Sequence, residues 1–184
     1  MELNCEDSNN LALTAEQLKQ IESMEQQEMV TTAPEQQPTT SLSGSNSSRR
    51  DIVMRFFMNK GWTKNQSAGI TANLQAESGA SFDNTVYGDG GKAYGIAQWH
   101  ADRQRDFANA YGRSIQGTSL QQQLEFVHYE LTRGNETGAG NRLKATTSAY
   151  QAGAVVSQFY ERPKLTEKEK RVRGNLAEAI AKLY

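Results

Sequence analysis

Glu77 ends a run of small, apolar and amide-bearing residues, at the point where Ser78-Gly79 turns the chain. Cleavage of a glycosidic bond needs a protonated carboxylic acid within reach of the leaving oxygen. Partial burial against apolar neighbours raises a carboxyl's pKa and keeps that proton near neutral pH. A glutamate at a helix end facing a cleft suits this task, although a glutamate taken alone is most often a solvated surface group. About twenty residues further on comes Tyr94-Gly95-Ile96-Ala97-Gln98-Trp99. Gly95 permits close backbone approach. Gln98 carries both a donor and an acceptor, suited to sugar hydroxyls and acetamido groups. Trp99 offers a flat apolar face to a sugar ring. The same segment also reads as a hairpin strand with core aromatics.

A second carboxylate decides the mechanism. A hydrolase needs a partner for Glu77, as nucleophile at about 5 Å or as base for water at about 6.5–9.5 Å. Asp89, in the turn Gly88-Asp89-Gly90-Gly91, is the first candidate, ahead of Asp83. Asp and Gly also favour turns on their own account. Glu161 and Arg162 read equally as a site and as an ion pair that fastens the last helix. His100 and His128 make no metal-ligand pattern with the lone Cys5, and nothing in the pattern calls for a metal or cofactor. The glycines from Gly88 to Gly91 lack the lysine-serine ending of a phosphate-cradling loop. Arg103 and Arg105 are placed to contact phosphate, but exposed helix arginines are the commoner case, so no specific nucleic-acid partner is expected.

The elements that must position these residues are mostly helices. Ser48 and Asp51 are candidate caps for a helix through Ile52, Val53, Phe56 and Phe57, stopped by Gly61. Thr63 and Gln66 start the next, which ends near Glu77. Residues 79 to 99 are rich in Gly, Asp and Asn, then apolar and aromatic, which predicts a loop with a small hairpin. A helix over about 102–111 follows. Ser119 and Gln122 cap another, with Leu120, Leu124, Val127 and Leu131 as its apolar stripe. Short helices are expected over about 141–145 and 148–160. After Pro163, Thr166 and Glu169 form the cap pattern of a final helix carrying Val172, Leu176, Ile180 and Leu183. The fold class is therefore mainly α, with a small β insertion after the second helix.

The 184 residues suffice for one domain and a tail. Residues 1–47 read as a flexible acidic arm and 48–184 as the folded domain. Ahead of Arg49 stand eight acidic residues and one base, Lys19, a formal charge of −7; the remaining 19 bases and 13 acids give +6. The basic part suits an anionic polymer, and cell-wall glycan and nucleic acid both qualify. Within the arm, Thr14 and Gln17 precede Leu18, Ile21 and Met24 at helical spacing, which fits either a frayed linker or a docking peptide. One cysteine excludes an internal disulfide. The acidic start has no apolar core segment and does not read as a signal peptide.

Glu77-Ser78-Gly79 followed by Gly95-Ile96-Ala97-Gln98 resembles the paired motifs of the lysozyme-like superfamily. The stretch from about Ser48 to Lys182 resembles the phage tail lysozyme family in particular. The similar segments are Ala76 to Gly79, Gly88 to His100, and Phe159-Tyr160-Glu161-Arg162-Pro163. The resemblance implies an α+β lysozyme-like fold. It also implies peptidoglycan as substrate, cleaved at the β-1,4 bond between N-acetylmuramic acid and N-acetylglucosamine. By it, Glu77 is the general acid, Ser78 holds either Glu77 or an acetamido group, and Gln98 and Tyr94 line the cleft. It further implies a virion-borne enzyme, carried in a phage tail or injection apparatus through residues 1–47 and acting on the host wall. Lytic transglycosylases share the first two motifs, need no second carboxylate, and add an alanine-tyrosine-asparagine motif. Ala149-Tyr150-Gln151 is similar but has Gln151 in place of the asparagine, with Tyr150 as the corresponding substrate contact.

Overall fold

The protein is described by a computed structural model covering residues 45–184, with side chains from Arg49 onward. The expected acidic arm and its short helix lie outside the described residues, except that 45–47 are already helical. Seven helices and one two-stranded hairpin make up the described chain. They are α1 (Ser45–Asn59), α2 (Lys64–Ser78), β1 (Tyr87–Gly88), β2 (Ala93–Tyr94), α3 (Ala101–Tyr111), α4 (Leu120–Thr132), α5 (Thr137–Lys144), α6 (Ala149–Val156) and α7 (Thr166–Ala181). A π-turn, Ser157–Glu161, prolongs α6. The hairpin follows the second helix, as the composition of residues 79 to 99 predicts. Its strands are antiparallel, with Tyr87 opposite Tyr94 and Gly88 opposite Ala93. None of the helices described is long and apolar enough to cross a membrane.

The caps explain several helix starts. Thr63 and Gln66 form a full capping box, each side chain accepting from the other residue's backbone N–H, and Ser119 and Gln122 form a second. Ser148 accepts from the Gln151 N–H. Elsewhere tertiary contacts override the local pattern. α1 begins at Ser45, so Ser48 and Asp51 lie inside it rather than at its cap. Asp51 instead accepts from the Tyr184 hydroxyl. α5 begins at Thr137, earlier than expected. α7 starts without a side-chain cap: the Thr166 hydroxyl donates back to Pro163 O at 3.0 Å, and Glu169 turns to Arg173. The stretch over 148–160 divides, α-helical to Val156 and then π.

The main core is built from Phe57, Ile70, Leu74, Phe82, Ile96, Trp99, Leu124 and Phe126 with their neighbours. A smaller cluster, Met54, Ala68, Ala72, Ala177 and Ile180, lies among α1, α2 and α7. Gly69 and Gly153 bring α2, α6 and α7 into backbone contact, and Gly174 makes room for the Tyr150 ring. A Cβ on Gly69 would stand 2.6 Å from the Ala152 carbonyl carbon. One on Gly153 would stand 2.5 Å from Arg173 O, and one on Gly174 would stand 2.7 Å from the Tyr150 ring. Asn73 crosses the same contact and donates to both Gly69 O and Gly153 O, at 2.8 and 3.0 Å. This close approach carries Arg173 of α7 to the C-terminal turn of α2. Gly153→Val forces main chain apart in a packed interior and is expected to destabilise the domain by about 2–3 kcal/mol. Thermal or urea unfolding measures it; an unchanged midpoint would contradict the packing argument.

Candidate active site

A cleft of roughly 710 Å³ opens where the end of α2, the hairpin and the segment leading into α7 meet. Glu77, Asp89, Gln98, His100, Glu161 and Arg173 are among the residues that line it.

Glu77 projects from the last turn of α2 with 20% of its side chain exposed. Its Oε1 lies 2.6 Å from Nη1 of Arg173, a guanidinium only 6% exposed. Arg173 is itself held by Asn73 Oδ1 at 3.2 Å and by Glu169 Oε2 at 3.3 Å. The expected acid is thus in the cleft, but its immediate neighbour is a fixed cation rather than an apolar wall.

Several expected contacts are corrected by burial. Ser78 is buried and its hydroxyl donates to Leu74 O at 2.7 Å, within its own helix rather than to Glu77. Tyr94 is buried, and its phenol oxygen accepts from the Gly117 N–H at 3.1 Å. Trp99 is fully buried against Phe126, with its indole N–H donating to Glu130 Oε2 at 2.9 Å. Neither ring presents a face to the cleft. An aromatic side chain with a polar handle is readily buried once that handle finds a partner. Tyr150 packs over Gly174 and is not among the cleft residues.

Gln98 does line the cleft. Its backbone is left-handed, with φ of 45°, and its amide donates to Gly95 O at 2.9 Å. Asp89 lies at the cleft mouth, 63% exposed, with His100 Nε2 at 3.8 Å. Asp83 is turned to Thr85 N and Oγ1, at 2.8 and 2.7 Å, bonds that lower its pKa and mark a structural turn. His128 accepts from the Trp62 indole N–H at 3.1 Å. Arg103 is not a free phosphate contact, because it is buried on Glu130.

Glu130 is the hub behind the cleft. It takes two bonds from Arg103, Nε to Oε1 and Nη2 to Oε2, each 2.8 Å. It also takes the Tyr160 hydroxyl at 2.6 Å and the Trp99 indole. Burial and the Glu130 charge push the Tyr160 phenol well above its ordinary pKa.

Glu161 is the residue the sequence undervalued. It ends the π-turn at the edge of the cleft. The residue is partly exposed, yet its Oε1 is sealed from solvent and has no hydrogen-bond partner. Burial, and after it the Glu77 charge, raise the Glu161 carboxyl well above the ordinary range, against the opposing pull of Arg103 and Arg173. Glu161 and Arg162 make no ion pair with each other. Arg162 has left-handed backbone and reaches Glu136 instead, through two contacts of 2.8 Å. The available signal was a carboxylate directly after the aromatic pair Phe159-Tyr160 and just before Pro163.

The family model described as phage tail lysozyme matches residues 48–184. Among curated proteins, none matches the chain.

Proposed function

Because the chain belongs to the phage tail lysozyme family, we propose that it is a peptidoglycan-degrading glycosidase with Glu77 as its general acid. The bond cleaved is the β-1,4 link between N-acetylmuramic acid and N-acetylglucosamine. The observation that carries this reading is the placement of Glu77. It stands in an open cleft of a size suited to sugar rings, which Gln98 also lines, and within the motif pair that first pointed to the superfamily. Glu77 gives its proton to the bridging oxygen as the bond to the anomeric carbon breaks. Asp89, on the same cleft, is the partner carboxylate of a hydrolytic route, and Gln98 holds the glycan by hydrogen bonds. The acidic segment 1–47 attaches the enzyme to tail proteins of a virion, from which the domain works on the host wall.

The exposure of Asp89 favours a second route, in which the substrate's own hydroxyl closes an anhydro ring and no protein carboxylate is needed. Mass spectrometry of digested peptidoglycan separates the two. Reducing muropeptides indicate a hydrolase, and products lighter by one water indicate a transglycosylase. Intact glycan after prolonged digestion would sink both.

A further inference from the structure

Arg103 lines the cleft from the first turn of α3, and only 11% of its side chain is exposed. A guanidinium carries its N–H donors in one rigid plane. In Arg103 the edge formed by Nε and Nη2 is spent on Glu130, at 2.8 Å to each carboxylate oxygen. The Tyr160 ring covers the guanidinium, its centroid 4.4 Å away. Glu130 is held in turn by the Trp99 indole and the Tyr160 hydroxyl. Two parallel charge-assisted bonds on a fixed carboxylate hold the plane of the guanidinium still.

Nη1 has no such employment. It makes no hydrogen bond among the described residues, yet it is not sealed from solvent as the unpartnered Glu161 oxygen is. With one edge on Glu130 and a face on Tyr160, the Nη1 edge is the polar part of Arg103 left for the cleft. It is a donor without a partner, held in place before any ligand arrives.

The charge balance decides what such a donor selects. Glu130 already neutralises Arg103, so no net attraction remains to offset the desolvation of an anionic ligand. A protonated amine has no lone pair to offer and meets a like charge. A neutral oxygen with free lone pairs suits the site best. A sugar hydroxyl accepts, but its own proton then needs an acceptor, whereas an amide carbonyl makes no such demand. An N-acetyl group supplies that carbonyl together with a methyl, and Pro163 and Leu165 line the same cleft as apolar surface.

We infer that Arg103 is a substrate-binding residue that reads N-acetylation: its Nη1 donates to the carbonyl oxygen of an N-acetyl group on the glycan strand. The inference deepens the glycosidase reading and rests on it for the substrate. A deacetylated sugar leaves the Nη1 donors unpaired and brings an amine towards a guanidinium. Sites built to hydrogen-bond one group reject the analogue that lacks it far more strongly than they sense a missing methylene.

Two measurements on the full chain test this. The first is the rate on purified cell walls, compared with the same walls after N-deacetylation and after chemical re-acetylation. The unmodified chain is expected to lose at least about tenfold on deacetylation, the worth of a hydrogen bond to a charged donor, and to recover on re-acetylation. Arg103→Lys keeps a cation for Glu130 but has no second edge to turn to the cleft. Its ratio of rates on acetylated and deacetylated walls should fall towards one. Partial unfolding lowers both rates alike and cancels in that ratio, so a lower rate with the ratio unchanged would mean a structural role only and overturns the inference. The second is nitrogen-15 NMR of the arginine side chains, which needs no activity and no variant that must fold well. Tri-N-acetylchitotriose should shift the Arg103 guanidinium signal, and the glucosamine trimer should not. A signal unmoved by the acetylated trimer, or moved equally by both, overturns the inference. If the unmodified chain cleaves no wall while the acetylated trimer alone moves the Arg103 signal, the glycosidase reading fails and the N-acetyl site stands.

Discussion

Glu77→Gln is expected to slow peptidoglycan cleavage by about 10²–10⁴-fold, the usual contribution of a positioned general acid. The amide matches the carboxyl in shape but has no acidic proton to give to the leaving oxygen. It also ends the ion pair with Arg173. The guanidinium keeps Asn73 and Glu169, and Glu77 is part-exposed, so the fold should survive. The loss should therefore appear in the rate, with little change in the thermal midpoint. Turbidity decay of purified cell walls provides the rate, and a melting curve on the same sample provides the control. Cleavage at the unmodified rate would remove Glu77 from the mechanism.

The largest effect on stability is expected at Glu130. Glu130→Ala leaves Arg103 buried without its counter-charge, at a cost of about 3–5 kcal/mol. Two further donors, the Trp99 indole and the Tyr160 hydroxyl, lose their partner in the same change. Both side chains are fully buried, so water cannot readily replace the carboxylate. Replacing the cluster with apolar groups as a set would cost less than removing this one member, because no charge would be stranded. Urea unfolding reads the difference directly, and a loss under about 1 kcal/mol would show that the hub relaxes or floods.

The sequence made the helical frame legible because its signals are local. Thr63 with Gln66 and Ser119 with Gln122 need only residues three apart to fix a helix start. Glu77 was legible too, as a carboxylate at a turn paired with a motif some twenty residues away. The fates of Tyr94, Trp99 and Tyr150 were not, because an aromatic residue suits a sugar platform and a core equally. What decides between them is a distant partner. For Trp99 that partner is Glu130, 31 residues on, and for Tyr94 it is the Gly117 amide, 23 residues on. Glu161 and Arg162 read equally as a site and as an ion pair, because the sequence does not show which way either side chain turns. The left-handed turn at Arg162 sends the two side chains to different partners, and that turn is set by packing. Arg173 was not anticipated at all. It reaches Glu77 across helices that Gly153 and Gly174 let close on each other.

That glycine contact also makes the two sides of the cleft mechanically unequal. Side chains can change rotamer to make room, but touching main chains cannot. The wall carrying Glu77 and Arg173 therefore behaves as a stiff jaw. The hairpin rim has little behind it: nothing lies within 4 Å of a Cβ placed on Gly90 or Gly91, and Asp89 is 63% exposed. Regions with so few buried contacts are the ones that give way at low free-energy cost. A strand entering the cleft is thus expected to meet a fixed wall at Glu77 and Arg173, with differences in its width taken up by the compliant hairpin rim.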